Sequence, residues 1–221
     1  MIPKVIHFCW FGKTEYPSLV KECIETWHYY LPDWEFKLWN EDNSPINHPV
    51  VKKALEEKKY AFAADYVRIY VLNEYGGIYL DTDIEVVKNF EPLRRNLFFA
   101  GYEDIEKKVP NSAVLGAIKG HPILKEMLEY YDNSTYFMTI PFVMATVLKN
   151  NEFNPKDYII YNREYFYPYH IIESYEITQL MYKHITENTY AIHHWKKSWT
   201  LDTGNIFVRV YRYILRKFGK Y

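Results

Sequence analysis

The sequence predicts a single α/β domain, and three observations carry that prediction. The chain opens in the order strand, helix, strand, with an apolar run at 5–10, a helical pattern over Ser18–Tyr30 and an alternating segment at 36–40. A second helical pattern, Tyr60–Tyr75, ends in Gly76-Gly77 and feeds the short apolar run 78–80. The length, 221 residues, suits one domain with one large core.

Each element has its own reason. Residues 5–10 read as a buried first strand that Gly12 ends, presenting Trp10 and Phe11 at its exit. Over Ser18–Tyr30, Leu19, Cys23, Ile24 and Trp27 recur on one helical side, with Pro32 past the end. Ala64, Val67, Val71 and Tyr75 give the second helix its stripe, and Asp65 and Arg68, three apart, are helical neighbours. Residues 84–86 continue or ladder with the strand at 78–80. Further strands are expected at 97–101 and 113–117, and helices at 122–131 and 139–149. Aromatics and prolines dominate 158–170, which reads as loop, with Tyr161, Tyr165, Phe166, Tyr167 and Tyr169 forming either an acceptor platform or a packed loop.

The C-terminal stretch 206–221 has Phe207, Tyr211, Ile214 and Phe218 on one helical face and Arg209, Arg212, Arg216 and Lys220 on another. The expected division is a main domain over 1–204 and a basic amphipathic helix over 205–221. That helix has two readings: peripheral docking on anionic lipid at the inner face of the plasma membrane, or a cap on the domain with a solvated basic side.

Composition narrows the function. Hydrophobic and charged shares of 48% and 25% are ordinary, whereas the aromatic share of 19%, with 23 Tyr and 6 Trp, is high and fits sugar or base stacking as well as core packing. A net charge of -1 gives no overall pull toward nucleic acid. Cys9 and Cys23 match no zinc or redox spacing and point to a reducing compartment. The first residues lack the basic head, apolar stretch and cleavage site of a signal peptide, and no run reaches the roughly 20 apolar residues of a membrane span. A cytoplasmic location is the expectation.

The chemistry centres on Asp81-Thr82-Asp83. The triplet ends the apolar strand, and residues i and i+2 of a strand share a side, so Asp81 and Asp83 converge on one cation while Thr82 faces away. Carboxylates suit Mg²⁺ and Mn²⁺, which keep open positions for substrate phosphates. An isolated acidic triplet is as often a solvated turn. Here the preceding strand, the two glycines and a helix bearing Asp65 and Arg68 make a nucleotide site at the carboxyl edge of an open sheet the stronger reading.

Four ordered motifs carry a family resemblance: residues 2–12 (IPKVIHFCWFG), 64–68 (ADYVR), 75–83 (YGGIYLDTD) and 193–199 (HHWKKSW). Together they resemble glycosyltransferase family 32, which includes bacterial capsule and polysaccharide enzymes and fungal mannosyltransferases, and whose core is similar to the clostridial glucosylating toxins. The resemblance spans roughly residues 1 to 200. It implies a Rossmann-like sheet of the GT-A type, a retaining transfer of a hexose from a nucleotide diphosphate sugar such as a UDP-sugar, and a saccharide or lipid-linked saccharide acceptor. It also implies Mn²⁺ (or Mg²⁺) on Asp83 directly and on Asp81 through water, with His194 as a third ligand where the toxins have an acid. Trp10 would stack on the base, Asp65 and Arg68 would hold the sugar and diphosphate, Tyr79 and Asn111 would add donor contacts, and Trp199 would close over the donor. Plain packing is the competing reading for Trp10 and Trp199, and a helical ion pair for Asp65 with Arg68. In another class, a non-catalytic carbohydrate- or metal-binding module is the alternative to an enzyme.

Overall fold

The computed structural model describes residues 1–134, 136–169 and 184–195. Its centre is a six-stranded sheet in the order β2-β1-β3-β6-β5-β7. Strand β1 (Val5–Cys9) runs parallel to β2 (Glu35–Trp39) on one side and to β3 (Gly77–Leu80) on the other. The long β6 (Pro110–Ala117) is antiparallel to β3 and to β5 (Phe98–Tyr102), and β7 (Ile159–Tyr161) adds to the far edge parallel to β5. The carboxyl ends of β1, β2, β3 and β5 therefore share an edge with the amino end of β6.

Helix α1 (Ser18–Tyr30) carries the chain from β1 to β2, and α2 (Pro49–Glu56) with α3 (Tyr60–Tyr75) carry it from β2 to β3, the long crossovers that parallel neighbours require. Helices α4 (Pro122–Asp132) and α5 (Ile140–Asn150) follow β6. Alternation along the strands splits the core in two. Tyr79, Leu115 and Phe98 face α2 to α5, packing with Val67, Leu124, Met127 and Val143. Their neighbours Ile78, Leu80, Val114 and Phe99 face Trp27 of α1 and Leu31 just past its end. This is a sheet covered on both faces, as the α/β reading expects.

A separate two-stranded ribbon pairs β4 (Ile84–Val86) with β8 (Ala191–His193). Helix α1 holds it: the Trp27 indole donates to the Ile84 carbonyl at 2.6 Å, and the Val86 amide donates to the Thr26 hydroxyl at 2.9 Å.

Two details differ from expectation, and a third favours one of two expected readings. Helix α3 is buried nearly all round, Asp65, Tyr66 and Arg68 included, because two helices and the sheet enclose it, while its last residue Tyr75 is 49% exposed. Strand β7 and the short β8 lie where loop was expected or nothing was read, and α2 was not expected at all. The aromatic segment is packed: Phe166 and Tyr167 are fully buried, and the Tyr161 and Tyr165 rings stack at 4.4 Å. Trp199 and the stretch 205–221 lie outside the described residues. Among the described residues no helix is long and apolar enough to cross a membrane.

Candidate functional site

Strand β3 ends at Leu80, so Asp81 opens a turn rather than continuing the strand. Its amide donates to the Ala113 carbonyl at 2.8 Å, which anchors the turn to β6. Asp83 is 6% exposed and its carbonyl accepts the His194 amide at 3.0 Å. The two carboxylates thus converge through a turn pinned at both ends, not through strand alternation.

The third group comes from the ribbon. His193 Nε2 lies 3.3 Å from the Asp83 carboxylate, and one ligand atom each from Asp81, Asp83 and His193 fall within 4.8 Å of one another. Successive side chains leave a strand on opposite faces. His193 accordingly turns toward Asp83, whereas His194 turns away to Glu85, with Nε2 at 2.8 Å from its carboxylate. The histidine brought to the acidic pair is His193, in place of the expected His194.

Two carboxylates and an imidazole form a donor set suited to Mn²⁺ or another hard or borderline divalent ion. Among the described residues the buried Nδ1 of His193 has no hydrogen-bond partner, which marks a site where these protein groups leave polar capacity unmet. Burial works against charge on His193, yet the adjacent Asp83, helped by Asp81, holds its pKa above the ordinary value. The residues present fit a metal ion.

Beside the acidic turn stands Arg68, 5% exposed. Its Nη2 contacts Asp65 at 2.9 Å and Asp81 at 3.1 Å, Nη1 donates to the Ser112 carbonyl at 3.0 Å, and the guanidinium lies 4.5 Å over the Tyr79 ring. Planar and always charged, an arginine can serve both carboxylates at once. Burial opposes its charge, but Asp81, Tyr79 and Asp65 raise its pKa, so it stays cationic. Burial also pushes the Asp65 carboxyl up to about 7 against the pull of Arg68. The second oxygen of Asp65 accepts the Ile140 amide at 3.3 Å at the start of α5.

The remaining expected residues separate by exposure. Trp10 is half-buried at the exit of β1, its indole donating to the Thr14 carbonyl at 2.7 Å and meeting Tyr16 edge-on at 5.0 Å, so it is not part of the core. Tyr79 is 1% exposed and supports Arg68 from below, which removes it from direct donor contact. Asn111 spends its side chain inside the protein, donating to Glu103 at 2.7 Å and accepting from the Ala113 amide at 2.8 Å. Glu103, Ser112 and His193 are site neighbours to which motif reading gave no role, while Tyr169, read with the aromatic segment, lies beside His194. Only His193 had a sequence signal, in the adjacent His193-His194 pair. Cys9, buried with its thiol pushed up to about 12 by burial, behaves as a packing residue rather than a nucleophile.

Comparison with known proteins agrees with the fold. Residues 17–99 match the family described as "Glycosyltransferase sugar-binding region containing DXD motif", a span that takes in Asp65, Arg68, Asp81 and Asp83 and stops before Asn111 and His193. The chain is 28% identical over 154 residues to "Inositol phosphoceramide mannosyltransferase 3" of Schizosaccharomyces pombe, a match covering 64% of this chain and 40% of the relative. The chain thus spans less than half the length of that relative. In fold it is similar to the structure "PaToxG Glycosyltransferase", with a TM-score of 0.51 and 20% identity over 66% of this chain and 68% of that one. It is likewise similar to the galactosyltransferase LgtC in complex with donor and acceptor sugar analogs, with a TM-score of 0.52 and 16% identity over 90% of each chain. The resemblance read from the four motifs holds, and the fold is of the GT-A type.

Proposed function

From its similarity to glycosyltransferases with a DXD motif, we propose that this chain is a divalent-metal-dependent glycosyltransferase that moves a hexose from a nucleotide diphosphate sugar to a saccharide or lipid-linked saccharide. The observation that carries the reading is the convergence of Asp81, Asp83 and His193 within 4.8 Å, next to the buried Arg68, at the carboxyl edge of the sheet. A binding module needs no such assembly of metal ligands with a buried guanidinium.

Asp81, Asp83 and His193 would hold Mn²⁺ (or Mg²⁺). The ion, when bound, supplies Lewis-acid stabilisation of the negative charge that grows on the departing diphosphate. Arg68 adds a fixed positive charge on the same side, already oriented by Asp65, Asp81 and Ser112, so little reorganisation accompanies the reaction. The half-buried Trp10 offers a face for the base. By the resemblance, Asp65 is assigned to the donor sugar and its partner Arg68 to the diphosphate.

The transfer is proposed to retain anomeric configuration. Both Asp65 oxygens are engaged, one by Arg68 and one by the Ile140 amide, which leaves that carboxylate poorly disposed to attack the sugar carbon. In same-face attack the acceptor oxygen bonds to the anomeric carbon, the bond to the diphosphate breaks, and the hydroxyl proton passes to the departing phosphate oxygen.

A UDP-hexose is the proposed donor by the resemblance to the toxins, and the name of the yeast relative adds mannose to the sugars to be screened. Many transferases slowly pass sugar to water. A panel of UDP- and GDP-hexoses assayed for Mn²⁺-dependent hydrolysis should single out one donor, and NMR of the released sugar should show the donor's anomer first. Failure of every donor with and without metal would overturn the enzyme reading, and an inverted product would overturn retention. Membrane docking through 205–221 belongs to the lipid-linked version of the proposal, and a deletion ending at Gly204 should then lose binding to anionic liposomes.

A further inference from the structure

Beyond the three ligand side chains, the site contains an interlocked set of groups that touches none of the reacting atoms. Glu85 and His194 are diagonal partners across the ribbon, since Glu85 pairs with Ile192 and His194 lies two residues on. Their side chains meet at 2.8 Å, while the other nitrogen of His194, Nδ1, lies 3.4 Å from the Tyr169 hydroxyl. Both ring nitrogens of His194 are therefore engaged, with a carboxylate on Nε2 and a hydroxyl on Nδ1. Next in the chain, Trp195 takes a left-handed backbone conformation, φ 52°, and its indole donates to the Tyr169 carbonyl at 3.0 Å. That turn brings the Trp195 ring to 4.1 Å from the His193 ring.

A bulky residue in the left-handed region persists only where the surroundings over-determine it. Here they do, on both sides of His193. The ribbon needs such help, because two strands of three residues each are marginal alone, and the ladder ends where the His194 amide reaches the Asp83 carbonyl. The His194 side chain adds a fastening of its own to the backbone bonds at the end of β8, where the His193 amide donates to the Phe166 carbonyl at 3.2 Å and the His194 amide to the Asp83 carbonyl.

We propose that Glu85, acting through His194 and Tyr169, is a positioning residue that presets His193 for metal binding. Partners one step removed from a metal fix ligand orientation, and losing them weakens affinity about 10–100-fold. The inference rests on the metal reading of Asp81, Asp83 and His193. It also explains why two adjacent histidines are used differently: one faces the ion and the other locks the first in place.

The test is direct Mn²⁺ binding, measured from the free-ion EPR signal in titrations of the full chain, with thermal melting recorded in parallel. Glu85→Ala and His194→Ala should each weaken Mn²⁺ binding about 10–100-fold. Glu85→Gln keeps an acceptor for His194 and should bind within about threefold of wild type, and His193→Ala should lose binding. Equal Mn²⁺ affinity for wild type, Glu85→Ala and His194→Ala would overturn the inference while leaving the metal site standing, even if melting temperatures fell. No Mn²⁺ binding by the wild type would overturn the metal reading itself.

Discussion

At the scale of single residues, Arg68 is the most heavily committed side chain of the site. It neutralises Asp65 and Asp81 in a buried setting, so removing it strands charge rather than merely deleting contacts. Arg68→Ala should cost roughly 3–5 kcal/mol of stability, read by urea unfolding, with Arg68→Lys also impaired because an ammonium cannot span both carboxylates. A loss below about 1 kcal/mol would mean that the buried network is not as described. Asp65, Arg68, Asp81 and Asp83 were legible in the sequence because each lies in a short motif with a chemical reason for its spacing. The choice between His193 and His194 was not, since it depends on which face of β8 meets the acidic turn, a matter of pairing register with a strand over a hundred residues earlier. Tyr79 misled for a related reason: its alternation sends it into the core beneath Arg68, a consequence of the same parity that a motif does not display.

Among the elements, the joint between α3 and β3 is the one on which the site's placement depends. Gly77 sits at φ 113°, and a Cβ there would meet the Val5 carbonyl oxygen at 2.8 Å and the His7 ring at 2.9 Å. Gly77→Ala should destabilise the fold by about 2 kcal/mol or more and loosen the pairing of β1 with β3, visible as faster amide exchange at Ile6 and Ile78. Unchanged stability would show that the turn adapts freely. The long periodic elements were readable, Ser18–Tyr30 and Tyr60–Tyr75 to the residue, because their apolar spacing and their Pro and Gly stops are local. Short elements such as β7 and β8 were not, because three residues carry too little pattern and exist through pairing with distant strands. Helix α2 was obscured by a run of lysines and glutamates whose apolar face, Val51 and Ala54, is only two buried residues wide.

For the molecule as a whole, acid sensitivity follows from His7 at the centre of the sheet. Fully buried, it donates from Nε2 to the Gly76 carbonyl at 2.9 Å and accepts the Trp39 indole on Nδ1 at 3.0 Å, an arrangement for the neutral ring. Burial lowers its pKa from 6.5 to about 4. Between those values the unfolded chain binds the proton that the fold refuses, so stability is intact above pH 6.5 and falls as pH drops toward 4, by about 3 kcal/mol in total from this group. Urea midpoints across that window should decline for wild type and decline less for His7→Gln, and identical slopes would contradict the assignment. The overall α/β order was legible from the alternation of strands and helices, whereas the antiparallel β6 and the detached ribbon were not, because they rest on long-range pairing. The acidic turn, proposed as the metal and diphosphate site, is where every part of the proposed reaction meets. The most direct test is Mn²⁺-dependent hydrolysis of the preferred nucleotide sugar, measured side by side for wild type and Asp83→Asn. The account predicts chelator-sensitive turnover that falls about 100-fold or more in a variant with unchanged circular dichroism, and turnover in Asp83→Asn equal to wild type would contradict it.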